Sequence, residues 1–291
     1  MNTWTRSTEA LTDRLLSEAQ VPRSLQEYGG RIALVLITLP GVLVILLAAI
    51  GPWIAPQSVG ASIALPFLPP GEGFLFGTDR LGRDLWSQIL HGGRGLLIVP
   101  LVATVATVAV GTAVGMTMGY LQGRVETVLL AVTDVLLVLP PVIVLLVLAS
   151  GWGGGAPVIV LTMVLTGAPF LARLARAATL EVCRAPFVLV SITQGDSTFT
   201  ILRRDVLPNV AGPVLADSGM RFVGALYLAA ALSLLGFGPQ APETNWAVMI
   251  RENAEGAGLN LWALVLPASM IALMSISANF ILQAFADRIA R

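Results

Sequence analysis

Residues 95–123 read GLLIVPLVATVATVAVGTAVGMTMGYLQG, and none of them is charged. At about 1.5 Å of rise per residue, about 20 apolar residues cross a hydrocarbon layer about 30 Å thick, so this stretch is long enough to span a membrane. Gly111, Gly115 and Gly119 recur at every fourth position, a small-xxx-small row that predicts close approach by a second helix. No carbonyl-filter sequence accompanies the row, so it reads as a packing surface and not as an ion pathway.

The same pattern recurs on both sides. Ile32 to Trp53 is free of charge, too long for a signal-peptide core and preceded by an acid-containing segment, which reads as an uncleaved first span. Thr127 to Leu148 and Val158 to about Leu174 give spans three and four, joined by the Gly-rich turn Ser150 to Pro157 as a helical hairpin. Pro213 to Leu235 and Leu261 to Ala284 give spans five and six. The expected fold is an all-α integral membrane protein with six transmembrane helices. Its expected organisation is an amphipathic arm over 1–31, with Leu11, Leu15 and Ala19 on one face, and a first helix over 32–54. An exposed Pro- and Gly-rich loop follows over 55–94, then a five-helix core over 95–286 and a tail over 287–291.

Composition agrees with a membrane protein and removes several function classes. The chain is 56% hydrophobic with a mean hydropathy of +0.83, and 12% of its residues are charged, against about 25% in soluble domains. Every basic residue is Arg and there is no Lys, which excludes a phosphate-loop, Schiff-base or general-base lysine. One Cys (Cys183) and one His (His91) cannot build a Cys/His zinc site or a thiol redox pair. A net charge of zero with no basic run gives no purchase on nucleic acid.

Arginine also sets the orientation. With a cytoplasmic amino terminus, that side carries Arg6, Arg14, Arg23, Arg31, Arg124, Arg173, Arg176, Arg184, Arg203, Arg204, Arg288 and Arg291. The other side carries Arg80, Arg83, Arg94 and Arg251, and Arg221 lies in span five. Both termini are expected in the cytoplasm.

The cytoplasmic stretch between spans four and five, 184–209, is the strongest candidate for function. Pro186 opens a helical run over Phe187 to Gln194, Gly195 interrupts it, Asp196 is placed to cap a second run over Ser197 to Val206, and Leu207-Pro208 is expected to stop that run. Phe187, Val188, Leu189, Val190, Ile192, Phe199, Ile201 and Leu202 make this loop unusually apolar, which points to a surface that something covers.

Three motifs resemble one known family. They are Phe76-Gly-Thr-Asp-Arg-Leu-Gly-Arg-Asp84 followed by His91-Gly-Gly-Arg94, then Gly195 with Leu207-Pro208 eleven residues beyond it, then Leu232-Ser-Leu-Leu-Gly-Phe-Gly-Pro-Gln-Ala-Pro242 with Trp246. Over about residues 30 to 288 the chain resembles inner-membrane permease subunits of ATP-binding-cassette importers, specifically the second permease subunit of dipeptide and oligopeptide systems. Where that family has Glu-Ala-Ala, this chain has Leu189-Val190-Ser191, and Gln283 and Ala286 stand where the family has charged residues.

The resemblance implies a type I importer permease fold in the bacterial inner membrane, paired with a homologous permease as a heterodimer. It also implies that Phe187, Leu189, Gly195, Asp196, Phe199, Leu207 and Pro208 carry ATPase coupling, and that Gly77, Thr78, Asp79, Gly82, Arg83 and Asp84 form the outer-loop motif. ATP and Mg would reside on ATPase partners, with no cofactor in this chain, and an extracytoplasmic binding protein would deliver peptide to surfaces 54–94 and 236–258.

Competing readings are simpler. Residues 187–208 also suit an amphipathic hairpin resting on lipid headgroups. Asp134, about one turn inside span three, is a candidate for the translocation path or an acid paired with Arg124. Asp217 and Arg221, four apart, suit a same-face ion pair better than a site for a peptide terminus. Asp79, Arg83 and Asp84 suit loop-shaping hydrogen bonds. Trp53, Trp86, Trp152, Trp246 and Trp262 suit an interfacial belt, and His91 a polar anchor. As whole-protein alternatives, a stand-alone secondary transporter or channel lacks the expected internal repeat, and an intramembrane enzyme lacks a catalytic constellation within the spans.

Overall fold

Helix α1 covers Arg23–Ile54, α2 Leu85–Leu121, α3 Gly123–Leu137, α4 Pro141–Trp152 and α5 Ala156–Val182. Helix α6 covers Pro186–Thr193 and α7 Thr198–Ile201, and a π-helical segment, Leu202–Val206, runs directly into α8, Leu207–Leu232. A second π segment, Ser233–Phe237, ends that rod, and α9 (Trp246–Asn253) and α10 (Trp262–Ile289) complete the chain. The computed structural model describes residues 23–71, 73–240 and 242–289, with side chains from 39 to 281 within them. The expected arm over 1–31 lies outside these up to residue 22, and residues 23–31 are the first turns of α1. Side chains Gln283 and Ala286 also lie outside. Among the described residues there is no strand, only isolated bridges such as Thr78 with Asp84.

By length and composition, α2, α5, the Thr198–Phe237 rod and α10 are each apolar enough to cross a membrane. The bent pair α3 and α4 makes a fifth if counted as one span, and Leu39–Ile54 is a shorter apolar part of α1. Six crossings are compatible with this set.

Four boundaries differ from the sequence expectation, each for a local reason. Helix α2 starts at Leu85 and not near Gly95, because the Asp84 carboxylate caps it, accepting from Ser87 N–H at 3.0 Å and from Ser87 Oγ–H at 2.6 Å. The segment 85–94, expected as loop, is therefore helix. Span three is not continuous: α3 and α4 meet at 84°, because neither Pro140 nor Pro141 offers an N–H to the ladder. Leu207-Pro208 does not stop a helix. The preceding turn is π-helical, with Leu207 N–H reaching the Leu202 carbonyl, and Pro208 sits in the first turn of α8, where a missing N–H costs least. Helix α9 lies in a connection expected to be irregular, and Asn245 caps it by accepting from Val248 N–H at 2.8 Å.

The most extensive helix contact is α2 against α5, and the glycine row lies in it. A Cβ on Gly111 would stand 2.9 Å from the Ala168 carbonyl oxygen, on Gly115 2.4 Å from that of Ala172, and on Gly119 2.7 Å from Thr179 Cβ. A larger cluster of Leu85, Ile89, Leu96, Leu145, Met163, Phe222, Leu226 and Trp246 fills the half nearer the start of α2. A smaller one of Met116, Leu171, Val188, Ile201, Val206 and Val210 fills the opposite end.

Gly115→Leu is expected to separate these helices at a cost of about 1–3 kcal/mol. The thermal midpoint in detergent should fall, whereas Gly95→Ala, with open space around its Cβ, should leave it unchanged; equal midpoints for both variants would contradict the close contact.

Candidate functional site

At the start of α2, the motif residues fold into a plug and not an exposed loop. Thr78, Asp79, Arg83 and Asp84 are all buried. Burying charge is costly unless it is paired, and here every charge has partners. Asp79 Oδ2 accepts from Arg83 Nε at 2.6 Å, and Asp79 Oδ1 accepts from the Leu81 and Arg83 amides at 2.8 and 2.9 Å. Arg83 Nη2 reaches on to Glu252 of α9 at 3.4 Å. Gly77 and Gly82 hold positive φ, 82° and 71°, and a Cβ on either would lie 2.0 Å from a carbonyl oxygen, of Leu68 and Ala64 respectively. Only glycine fits both the angle and the space.

Two side chains that the sequence did not single out lock the plug. Asn260 Nδ2 donates to the Leu68, Phe76 and Thr78 carbonyls at 3.1, 3.0 and 3.2 Å, and Asn253 Oδ1 accepts from the Arg80 amide at 2.9 Å. Trp246, expected in an interfacial belt, is fully buried and donates from Nε1 to the Ile89 carbonyl at 2.8 Å. A tryptophan four residues beyond a Pro carries no local signal of burial; the packing of α9 across α2 decides it. Trp86 instead stacks at the rim with Phe76, their ring centroids 5.8 Å apart. Beside the plug, a cavity of about 880 Å³ opens between α2, the Gly153–Gly155 turn and the loop after α8. His91 lines it and contacts the Gln57 carbonyl at 3.0 Å through Nε2.

On the opposite side, α6 and α7 form an elbow. Gly195 adopts φ +81° between them. Ser197, not Asp196, caps α7, accepting from Thr200 N–H at 3.2 Å. Asp196 faces back to Arg204, which donates to it at 2.6 Å. Val188, Ile201 and Val206 are buried against the adjacent ends of α2, α5 and α8. Phe187, Leu189, Val190, Ile192 and Phe199 point away, with Leu189 52% and Phe199 72% exposed. Leu207 is partly exposed beside Pro208 at the foot of α8. The elbow is thus anchored on one face and apolar and open on the other.

Residues 111–291 match the family described as binding-protein-dependent transport system inner membrane component. The chain is 32% identical over 235 residues to a dipeptide transport system permease protein of Bacillus subtilis, covering 80% of this chain and 73% of that one. It is 27% identical to an oligopeptide transport system permease protein of the same organism, covering 82% and 79%. It belongs to this family. A solved structure of the MetNI methionine ABC transporter in an inward-facing conformation superposes with a TM-score of 0.55 at 16% identity, over 68% of this chain and 95% of that one, which establishes a shared fold.

As an inner-membrane component of such a transport system, the chain needs a pathway. The three path candidates are engaged with other side chains. Asp217 accepts from Arg221 Nε at 2.7 Å, one turn away, and Arg221 lies over the Phe170 ring at 5.4 Å. Asp134 pairs with Arg173 of α5 and not with Arg124, which lies on the same helix ten residues back, about 15 Å along its axis. A parallel pair, Glu126 with Arg176, joins the same two helices. Among the described residues, no group of three or more His, Cys, Asp or Glu side chains is placed to hold a metal ion. Burial raises the Cys183 thiol above its ordinary value and keeps it protonated, which disfavours nucleophilic chemistry there.

Arg83→Met leaves the buried Asp79 carboxylate without its cation and should cost about 3–5 kcal/mol. The readout is the thermal midpoint of the purified chain; a midpoint within a degree of the parent would remove the buried pair from its structural role.

Proposed function

We propose that this chain is the membrane subunit of an ATP-driven peptide importer, pairing with a related permease to form half of the translocation pathway. The observation that carries this reading is the elbow: its inner face is fused to three helices while its outer face leaves Phe187, Leu189, Val190, Ile192 and Phe199 uncovered on one cytoplasmic surface. An uncovered apolar patch of this kind marks a protein interface. An ATPase domain seated there would push the elbow as it closes on ATP. That push would swing α2 to α10 between inward and outward access as a rigid-body transition.

The remaining assignments follow from the same reading. ATP and Mg reside on the ATPase partners, and this chain contributes no catalytic group. Both termini lie in the cytoplasm. The plug and α9 form the outer surface that meets a substrate-binding protein. Peptide as cargo is supported by the names of the relatives, dipeptide and oligopeptide permeases among them. An apolar groove of about 480 Å³ between α2 and α8, lined by Val108, Met116, Leu207 and Val214, supports a helix of the related permease as its neighbour. Leu189 brings an apolar contact to the ATPase groove in place of an acid.

Tagged chain purified in mild detergent should bring with it a related permease and an ATPase, and vesicles holding all three should import peptide only with ATP and a binding protein. Gly195→Pro, incompatible with φ +81°, should abolish recovery of the ATPase while membrane insertion persists. Peptide uptake by the isolated chain in vesicles would instead favour a stand-alone transporter.

A further inference from the structure

Motion delivered to α6 reaches α8 through a weak stretch of backbone. Gly195 sits in the left-handed region with open space around it. The turn is closed by only a few bonds, the Asp196 amide to the Ser191 carbonyl at 3.2 Å among them. Beyond α7, which is a single turn, the rod is π-helical over Leu202–Val206, and Pro208 withholds an N–H from the next turn. Val188, Ile201 and Val206 pack across this stretch, but apolar contact is non-directional and permits sliding.

Arg204 bridges it with direction. Arg204, on the π segment, donates through Nε to Asp205 Oδ1 at 3.0 Å and through Nη2 to Asp205 Oδ2 at 3.3 Å. The same Nη2 reaches back over the turn to Asp196 Oδ2 at 2.6 Å and to Ser191 Oγ at 3.1 Å, on α6 itself. A planar guanidinium holds such contacts in a fixed fork, which an ammonium cannot do. The fork therefore ties the elbow and its turn to the π segment that leads into α8. Arg204 is 56% exposed, where ion pairs add little to stability, so its role is not that of a fold-holding residue.

We infer that Arg204 is a positioning residue that makes the elbow and the π segment leading into α8 move as one piece, so that ATPase closure is passed toward the membrane and not dissipated at Gly195. This rests on the proposed importer function. The experiment uses the assembled complex in vesicles with loaded binding protein, and reads ATP hydrolysis, peptide imported per ATP, and the thermal midpoint.

Arg204→Ala should keep ATPase recovery, hydrolysis and midpoint near wild type while import per ATP falls about ten-fold, the range of ordinary coupling between sites. Arg204→Lys should fall between. The double variant Ser191→Ala with Asp196→Ala cuts the contacts of Arg204 and Asp205 to the elbow and its turn, leaves Arg204 on Asp205, and should reproduce the ten-fold loss. Wild-type import per ATP in either Arg204→Ala or the double variant overturns the inference. Loss of the ATPase from both also overturns it, because the fork would then shape the docking surface. Absence of any ATPase from the wild-type preparation would refute the importer reading itself, a separate outcome.

Discussion

Everything in this molecule depends on two helices meeting without side chains between them. In lipid, apolar surface gains nothing by leaving its surroundings, so helices associate through close packing and polar contacts. The contact of α2 with α5 meets that condition through Gly111, Gly115 and Gly119, whose missing Cβ atoms let carbonyls of α5 approach. Helix α5 then carries the elbow at one end, and α2 carries the plug at the other, capped by Asp84. The functional surfaces on the two sides of the membrane are extensions of one packed pair.

Much of this was legible in the sequence because it is local. A charge-free run and a four-residue glycine interval each declare themselves within a few residues, whereas the Asp84 cap that starts α2 ten residues early went unread. What was hidden depends on partners far along the chain. Asn260 looks like any polar residue before an apolar helix, and only the folded chain brings its amide to three carbonyls more than 180 residues away. Trp246 looked like an anchor at the membrane surface because aromatic residues near span ends usually are, yet α9 turns it inward. Prolines misled in both directions: Pro208 was absorbed by a π turn, while Pro140 and Pro141 broke a span whose hydropathy is uninterrupted.

Among the site residues, identity was easier to read than role. Gly195 was recognisable as an interruption, and the positive φ explains it. Asp196 was read as a cap from its position before a helix, but Ser197 is one residue better placed, which frees the aspartate for Arg204. The outer motif was read as surface because charged residues seldom lie inside a protein. Its burial is possible because Asp79 and Arg83 neutralise each other and two backbone amides complete the aspartate.

Helix α1 is joined to the rest by the same device as α2 and α5. A Cβ on Gly51 would lie 2.3 Å from the Leu90 carbonyl oxygen, and one on Gly41 would overlap the Ser277 side chain. Helix α1 therefore carries two notches, one seating Leu90 of α2 and one seating Ser277 of α10. A side chain at position 41 would push α1 off α10 and one at position 51 would push it off α2, so the bundle closes on itself only while both positions stay bare.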